Sequence, residues 1–295
     1  MNQEKAGTVY CLGSINADYS YRVPHMPRPG ETLASESLTI GLGGKGANQS
    51  VAAARAGVSV VHIGAVGADG DWMRRALVQA GVDVGAVACV EGASGHGIIL
   101  VDAGAENAIV VHGGANRLLT ASQVEQALSH AGPGDWLMVQ NETNCQVDAA
   151  RVARGREVSV AYSAAPFDAE AARAMLPFTD LLILNSGEAV ELSEALGCGP
   201  EAWPVPCVVI TKGAEGAVWY QERAAPLHVP AIEVTPVDTT GAGDTFVGYA
   251  VAGLAEGMEV ADALRRASAA AALMVTRMGT AAAIPTRDEV TAFLK

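Results

Sequence analysis

Two hydrophobic rhythms alternate along the chain. Six short runs are almost continuously apolar: "TVYCLGS" (8–14), "VSVVHIGAV" (58–66), "WLMVQ" (136–140), "EVSVAY" (157–162), "DLLILN" (180–185) and "PCVVIT" (206–211). They are β-rich and short, and they read as strands. Between them lie helical patterns such as "GANQSVAAARAG" (46–57), "DWMRRALVQAG" (71–81) and "SGEAVELSEALG" (186–197). Strands that are apolar throughout need cover on both sides. The pattern therefore predicts an α/β fold, a mostly parallel central sheet with helices on both faces. Ligands of such sheets sit beyond the carboxyl ends of the strands.

Two segments break the rhythm, "YRVPHMPRPGETLASESLTIG" (21–41) and "GHGIILVDAGAENAIVVHGGAN" (95–116). Both read as β-structure without helices, the second as a hairpin around "DAGAEN". They predict a small β-sheet lid, made from segments about 17–42 and 95–116, on a single domain spanning 1–295. Ordinary surface hairpins are the alternative reading of the same pattern. Exposed apolar faces such as "GIILV" and "AIVVH" predict a homodimer paired through this lid.

Composition narrows the classes. Of 295 residues, 19 are Lys or Arg and 32 are Asp or Glu, a net charge of −13. That argues against non-specific nucleic-acid binding and against a polybasic membrane surface. The opening "MNQEKAGTVYCLGS" lacks the pattern of a signal peptide, and the longest apolar run, "AAAALMV" (269–275), is too short to span a bilayer. Cys11, Cys89, Cys145, Cys198 and Cys207 are odd in number and widely spaced. They predict reduced, buried thiols in a cytoplasmic protein. Without an HExxH or a Cys/His cluster, a zinc site is not expected.

Five places carry candidate chemistry. "GLGGKGANQS" (41–50) contains a formal G-x-G-x-x-G, too far beyond the first strand for a dinucleotide-binding turn. An NAD-binding oxidoreductase rests on that motif alone. The other reading is a tight turn that lets a polar ligand reach the backbone, with Lys45 and Asn48 binding hydroxyls, or simply a turn with a solvated lysine. "GSINADYS" places Asn16 and Asp18 after the first strand, as sugar ligands or as a turn cap. "NSGE" (185–188) reads as a helix cap or as a polar pair holding magnesium-bound water. "TKGAEG" (211–216) reads as a nucleotide-phosphate turn or a simple β-turn.

The fifth place is "VDTTGAGDTFVGYA" (237–250), where a helix is predicted from about Ala242 to Glu256. Gly241, Ala242 and Gly243 stand at its N-terminus, where unpaired N–H groups and the helix dipole favour an anion. Asp244 lies inside the first turn, so Thr239 or Thr240 is the expected cap and Asp244 is free to act as a base. An anion hole beside a carboxylate suits phosphoryl transfer to a hydroxyl.

Over essentially its whole length the chain resembles the ribokinase-like (PfkB) family of carbohydrate kinases. "LGSINAD", "GGKGANQSVAAARAG", "HGGAN", "NSGE", "TKGAEG" and "DTTGAGDTF" occur in the family's order. The resemblance implies ATP-dependent phosphorylation of a free sugar, D-ribose at O5, with a nucleoside or another sugar as the rival acceptor. A non-catalytic sugar sensor on the same fold is the rival of a different class. By resemblance, Asp244 is the catalytic base and Gly241, Ala242 and Gly243 form the anion hole. Asn16, Asp18, Gly44, Lys45, Asn48 and Glu142 bind the sugar. Asn185, Glu188, Thr211, Lys212, Gly213, Ala214, Glu215 and Gly216 form the ATP and Mg²⁺ region, and Ser268 lines the adenine pocket. Asp238 and Thr240, with carbonyls near Met274, Arg277 and Gly279, form a K⁺ site. The chain departs from the family at Ala283, where a Ser is common, and at Asn141, where an apolar residue is common. It also departs at "AYSAAP" (161–166), in place of Asn-Pro-Ala-Pro, and at Trp72.

Overall fold

The computed structural model describes residues 6–104 and 106–295. Residues 1–5 and Ala105, in the second predicted lid segment, lie outside that description. The predicted strands form the centre of a nine-stranded sheet. In chain order its members are β1 (Val9–Leu12), β4 (Val60–Val66), β5 (Val87–Cys89), β8 (Trp136–Val139), β9 (Ser159–Ser163), β10 (Leu181–Asn185), β11 (Cys207–Thr211), β12 (Ala217–Gln221) and β13 (Leu227–Val229). The spatial order is β13-β12-β11-β10-β9-β8-β1-β4-β5. All neighbours are parallel except the β11–β12 and β12–β13 pairs.

The continuous apolar runs are explained by two buried layers. Leu181 and Ile183 of β10 enter one core, and Leu182 and Leu184 enter the other. The first core is filled by α1 (Lys45–Ala56), α2 (Asp71–Gln79), α7 (Ala242–Ala255), α8 (Val260–Val275) and α9 (Arg287–Phe293). The second is filled by α3 (Ala121–Ala127), α4 (Gln146–Arg154), α5 (Ala169–Met175) and α6 (Ser186–Leu196). No helix of the described residues is long and apolar enough to cross a membrane. Of the five thiols only Cys11 is buried. Cys89 is exposed and the others are half-buried, which corrects the expectation of buried cysteines throughout.

The chain winds outward from β1 to β4 and β5, then returns to β8 and winds the other way. β1 and β8 are therefore the neighbours at which the winding reverses. The loops beyond their carboxyl ends part there and leave a crevice, the usual ligand site of an open α/β sheet. A second sheet rises from this edge. β2 (Asn16–Arg22) follows β1 after three residues and joins β3 (Ser37–Gly43), β6 (Gly95–Val101) and β7 (Asn107–His112) in the order β3-β2-β6-β7.

Candidate active site

The crevice is floored by a close approach of two backbones. A Cβ on Gly46, in the first turn of α1, would lie 2.4 Å from the Cα of Gly13, just beyond β1. Only glycine at both positions lets α1 start directly against the end of β1. The floor is held from below by His62 of β4, whose Nε2 lies 3.1 Å from the Gly13 carbonyl while Ser50 Oγ lies 2.8 Å from Nδ1. Burial pushes His62 down to about 4, so it is neutral; its Nε2–H donates and its Nδ1 accepts.

α1 has no cap from its own strand of chain: its N-cap, Gly44, carries no side chain. Glu142, beyond β8, does that work across the crevice. Its Oε2 accepts from the Lys45 N–H at 3.0 Å and from Ser14 Oγ at 2.5 Å. A carboxylate at a helix N-terminus is stabilised by the free N–H groups and the dipole. Glu142 is thus tied to both sides of the point where the winding reverses.

The second sheet contributes Asn16 and Asp18. Asn16 is buried and its Oδ1 accepts from Asn116 Nδ2 at 2.7 Å; Asn116 Oδ1 in turn accepts from the Ile15 N–H at 2.9 Å. Asp18 pairs with Gly41 and Gly97 on the flanking strands, and a Cβ on Gly43 would fall 1.9 Å from its carboxylate. Bare glycine backbone is what leaves room for the carboxyl group. Burial, with Glu142 nearby, raises Asp18 to about 6.

Asp244 is the third residue of α7, half-buried at the wall of a small cavity. Its Oδ2 accepts from Asn48 Nδ2 and its Oδ1 from Gln49 Nε2, each at 3.1 Å. Burial raises its carboxyl above the ordinary range; Lys45 and the two amides oppose that and Glu142 adds to it. Lys45 stands among three acids. Burial pulls its ammonium down, but Asp244, Glu142 and Glu188 together hold it above its ordinary value.

The start of α7 differs from expectation. Its N-cap is Gly241, at φ +78°, and no side chain caps it. Thr239 and Thr240 do not serve; the Thr240 N–H donates to Asp238 Oδ1 at 2.9 Å instead. The reason is geometric. The left-handed residue at Gly241 turns the preceding chain away from the helix axis; the Ala242 N–H donates to the Thr239 carbonyl at 3.3 Å, and no side chain caps the N–H groups that follow. A Cβ on Gly243 would meet nothing within 4 Å, and that side is open space.

The same cavity is lined by Lys45, Ser163, Ala165, Asn185, Glu188, Thr211, Gly241 and Gly243. Asn185 and Glu188 form a reciprocal capping box on α6, with side chain to backbone distances of 2.9 and 2.8 Å. The cap and the cavity wall are therefore one structure rather than alternatives. Burial raises the Glu188 carboxyl, and Lys45 opposes it. Only Thr211 of "TKGAEG" lines this cavity. Lys212, Gly213, Ala214, Glu215 and Gly216 form the tight connection between the antiparallel strands β11 and β12. Ser268 is buried in α8 and is not among the residues lining the two cavities described here.

Asp238 ties two backbone segments together, accepting from Thr240 N and, at 3.1 Å, from Gly279 N. Met274 is the last residue but one of α8, Arg277 donates to Ala283 O at 3.4 Å, and Gly279 sits at φ +103°. Among the described residues no cluster of His, Cys, Asp and Glu could hold a metal by side chains alone.

A second cavity of about 660 Å³ opens beyond Asn16, Asn141 and Glu142 toward Glu91, His112 and Arg117. Two of the sequence departures meet at its wall. Tyr162 donates its hydroxyl to Asn141 Oδ1 at 2.7 Å, and Asn141 Nδ2 reaches Pro166 O at 2.9 Å. The polar Asn141 and the tyrosine of "AYSAAP" satisfy one another. Trp72, the other bulky departure, packs on the first core from α2.

Sequence reasoning missed Ser14, Gln49, Asn116 and Gln140, whose side chains hold the groups above. Gln49 was visible in "GANQS", one residue past Asn48, but one-dimensional spacing does not say which of the two faces the acid.

Residues 6–287 match the profile of the pfkB family of carbohydrate kinases, and the chain belongs to that family. A glycine-rich segment placed between β3 and α1 rather than after β1 agrees, and the dinucleotide-binding reading falls with it. Among its relatives, the ribokinase of Haemophilus influenzae is 36% identical, covering 98% of both chains. The crystal structure of ribokinase from Cryptococcus neoformans in complex with ADP superposes at a TM-score of 0.83 with 32% identity, over 98% of this chain and 99% of that one. Arabidopsis thaliana ribokinase, solved with ribose and ATP, superposes at 0.86 with 26% identity over 99% of each chain.

Proposed function

We propose that this carbohydrate kinase transfers the γ-phosphoryl group of ATP to O5 of D-ribose. The observation that carries the reading is Asp244. It is a carboxylate aimed by two amides, beside uncapped N–H groups at the start of α7. Asp18, Asn16, Lys45, Asn48, Gly44 and Glu142 hold the sugar, with carboxylates accepting its hydroxyl hydrogens. Asp244 accepts the O5 proton as the oxygen attacks, and the N–H groups of Gly241, Ala242 and Gly243 stabilise charge on the phosphoryl oxygens. The nucleotide lies along Asn185, Glu188 and Thr211 to Gly216, with the adenine toward Ser268.

Asn185 and Glu188 fit a water-coated Mg²⁺: a carboxyl raised by burial at a cavity wall is stabilised by an incoming cation. Mg²⁺ brought with ATP supplies neutralisation of phosphate charge. Asp238, Thr240, Met274, Arg277 and Gly279 offer one carboxylate and backbone carbonyls, hard oxygens suited to K⁺. Asp238 already ties those two segments together. Bound K⁺ supplies positive charge beside the loop that leads into α7.

The four-stranded sheet acts as a lid and as the homodimer contact of a cytoplasmic enzyme. Leu38, Ile40 and Val110 are exposed on one face of it, beside Tyr21, Ile98 and Leu100. One observation favours a nucleoside acceptor as a second reading: a cavity of about 660 Å³ suits a ligand larger than a pentose. A panel of sugars and nucleosides, assayed by ADP release with and without K⁺, tests both. D-ribose turning over fastest, with K⁺ stimulation, is expected. Turnover of nucleosides without ribose would reverse the choice of acceptor.

A further inference from the structure

A row of buried amides runs from the end of β8 to Asp244. Gln140 Nε2 donates to Gln49 Oε1 at 2.7 Å, and Gln49 Nε2 donates to Asp244 Oδ1 at 3.1 Å. Gln49 is fully buried and Gln140 is 1% exposed. Gln140 Nε2 also lies 3.6 Å from Cys11 Sγ, so both of its N–H donors have partners. Its Oε1, by contrast, is buried with no hydrogen-bond partner. Leaving a carbonyl oxygen unpaired in the interior is costly, and native structures rarely do so without reason. A reason is legible in the direction of the row. The Asp244 carboxylate can only accept, so Gln49 must present its nitrogen to it. Gln49 then has only its oxygen to offer on the other side, and Gln140 must meet that oxygen with its own nitrogen. Turning either amide over would set two oxygens against each other.

We infer that Gln140 and Gln49 act in series as positioning residues for the base Asp244, Gln140 fixing the amide of Gln49 and Gln49 fixing the carboxylate. This rests on the proposed role of Asp244. Neither glutamine touches the reacting atoms. Their work is to hold one carboxylate oxygen by a donor on the β8 side. The other oxygen is held by Asn48, whose own Oδ1 is buried without a protein partner. The carboxylate plane is thereby set by two donors on one helix, α1, and one of those donors is itself oriented from the central sheet.

The charged and titratable groups around Asp244 come from four elements. They are Lys45 of α1, Glu142 beyond β8, Glu188 of α6 and Cys11 of β1. Lys45, Glu142 and Glu188 are not altered by changing the glutamines; Cys11 loses its Gln140 donor, but burial pushes this thiol up to about 11 and it stays neutral. Loss of the Gln49 donor removes an interaction that favours the charged carboxylate. The base then takes up its proton at a higher pH, and kcat is lost sooner as pH falls.

The test is a double-mutant cycle of Gln49→Met and Gln140→Met, both near-isosteric. kcat and KM for the acceptor are measured with saturating MgATP as a function of pH. Gln49→Met is expected to move the acid limb of kcat up by about one pH unit. Gln140→Met is expected to move it in the same direction by less, with KM changed by no more than about twofold in each. The decisive result is coupling: Gln140→Met should add nothing once Gln49 is Met. Two independent, additive effects on kcat, or an acid limb unmoved in Gln49→Met, would overturn the series arrangement. Should Gln140→Met not fold, the acid limb of Gln49→Met still decides. Asp244→Asn, measured alongside, separates the two claims. A fully active Asp244→Asn removes the base, and the relay with it. An inactive Asp244→Asn with an unmoved Gln49→Met profile removes the relay alone.

Discussion

At the scale of single residues the site is a set of carboxylates that the fold keeps apart in role. Asp244 is held by amides, Glu142 by a helix N-terminus, and Asp18 over bare glycine backbone. Replacing Asp244 by Asn removes the base but keeps the shape. It is expected to lower kcat by roughly 10²–10⁴, while calorimetry shows acceptor binding largely kept. Asp18 carries a pH dependence of both signs. Its folded value, about 6, lies above its ordinary one. The folded protein therefore holds this proton more readily than the unfolded chain, and stability falls as pH rises from the ordinary carboxylate value to about 6. Sugar binding runs the other way, because only the carboxylate accepts two hydroxyl hydrogens. KM for the acceptor is expected to rise as pH falls through that value. Asp18→Asn should raise Tm at neutral pH while weakening acceptor binding, a thermal scan and a titration giving the two readings. Asp18, Lys45 and Asp244 could be picked from the sequence because their types and neighbours are unusual there. The residues that brace the site could not be: Ser14, Asn116 and Gln140 are ordinary polar residues until the fold brings them within hydrogen-bond reach of Glu142, Asn16 and Gln49, 128, 100 and 91 positions away.

At the scale of elements, three helix starts face the crevice and each is finished differently. α6 has its own capping box, α1 borrows Glu142 from across the crevice, and α7 is left open behind Gly241. Capping signals on one stretch of chain can be read from that stretch, which is why "NSGE" was legible as a cap. A cap supplied from 97 residues away cannot be. The assignment of Thr239 or Thr240 to α7 failed because spacing does not reveal the left-handed turn at Gly241. These differences separate stability from chemistry. Glutamine also serves at the third position of a capping box. Glu188→Gln should therefore leave Tm nearly unchanged, yet raise KM for MgATP if its charge is used on the phosphate side. Equal KM values for the two proteins would remove Glu188 from that role. Asn185→Ala should cost about 1 kcal/mol of stability through the lost cap, measured by denaturant unfolding.

At the scale of the whole molecule the second sheet stands as a thin layer on the rim of a thick one. Val110 is 69% exposed and Ile40 51% exposed, on a sheet whose outer strands β3 and β7 have no further strand paired to them among the described residues. Such a surface is a pairing template unless it is covered. Val110→Asp is expected to convert a dimer to a monomer in sedimentation velocity, with the thermal stability of the nine-stranded body little changed. A wild-type protein that is already monomeric would defeat the dimer reading. The sequence by itself determined the layers. Strands apolar on both faces can be satisfied only between two helical layers, and the break in that rhythm marked out the smaller sheet. It also marked the residues whose chemistry is costly to place anywhere else, above all Asp244 behind two glycines. Only the tertiary structure decided how those residues are held. The reversal between β1 and β8 sets Ser14 against Glu142, and the packing of α1 on α7 sets Asn48 and Gln49 against Asp244. Hydrophobic periodicity is local and survives in one dimension. A hydrogen bond between residues 195 positions apart exists only once both backbones have been fixed in three.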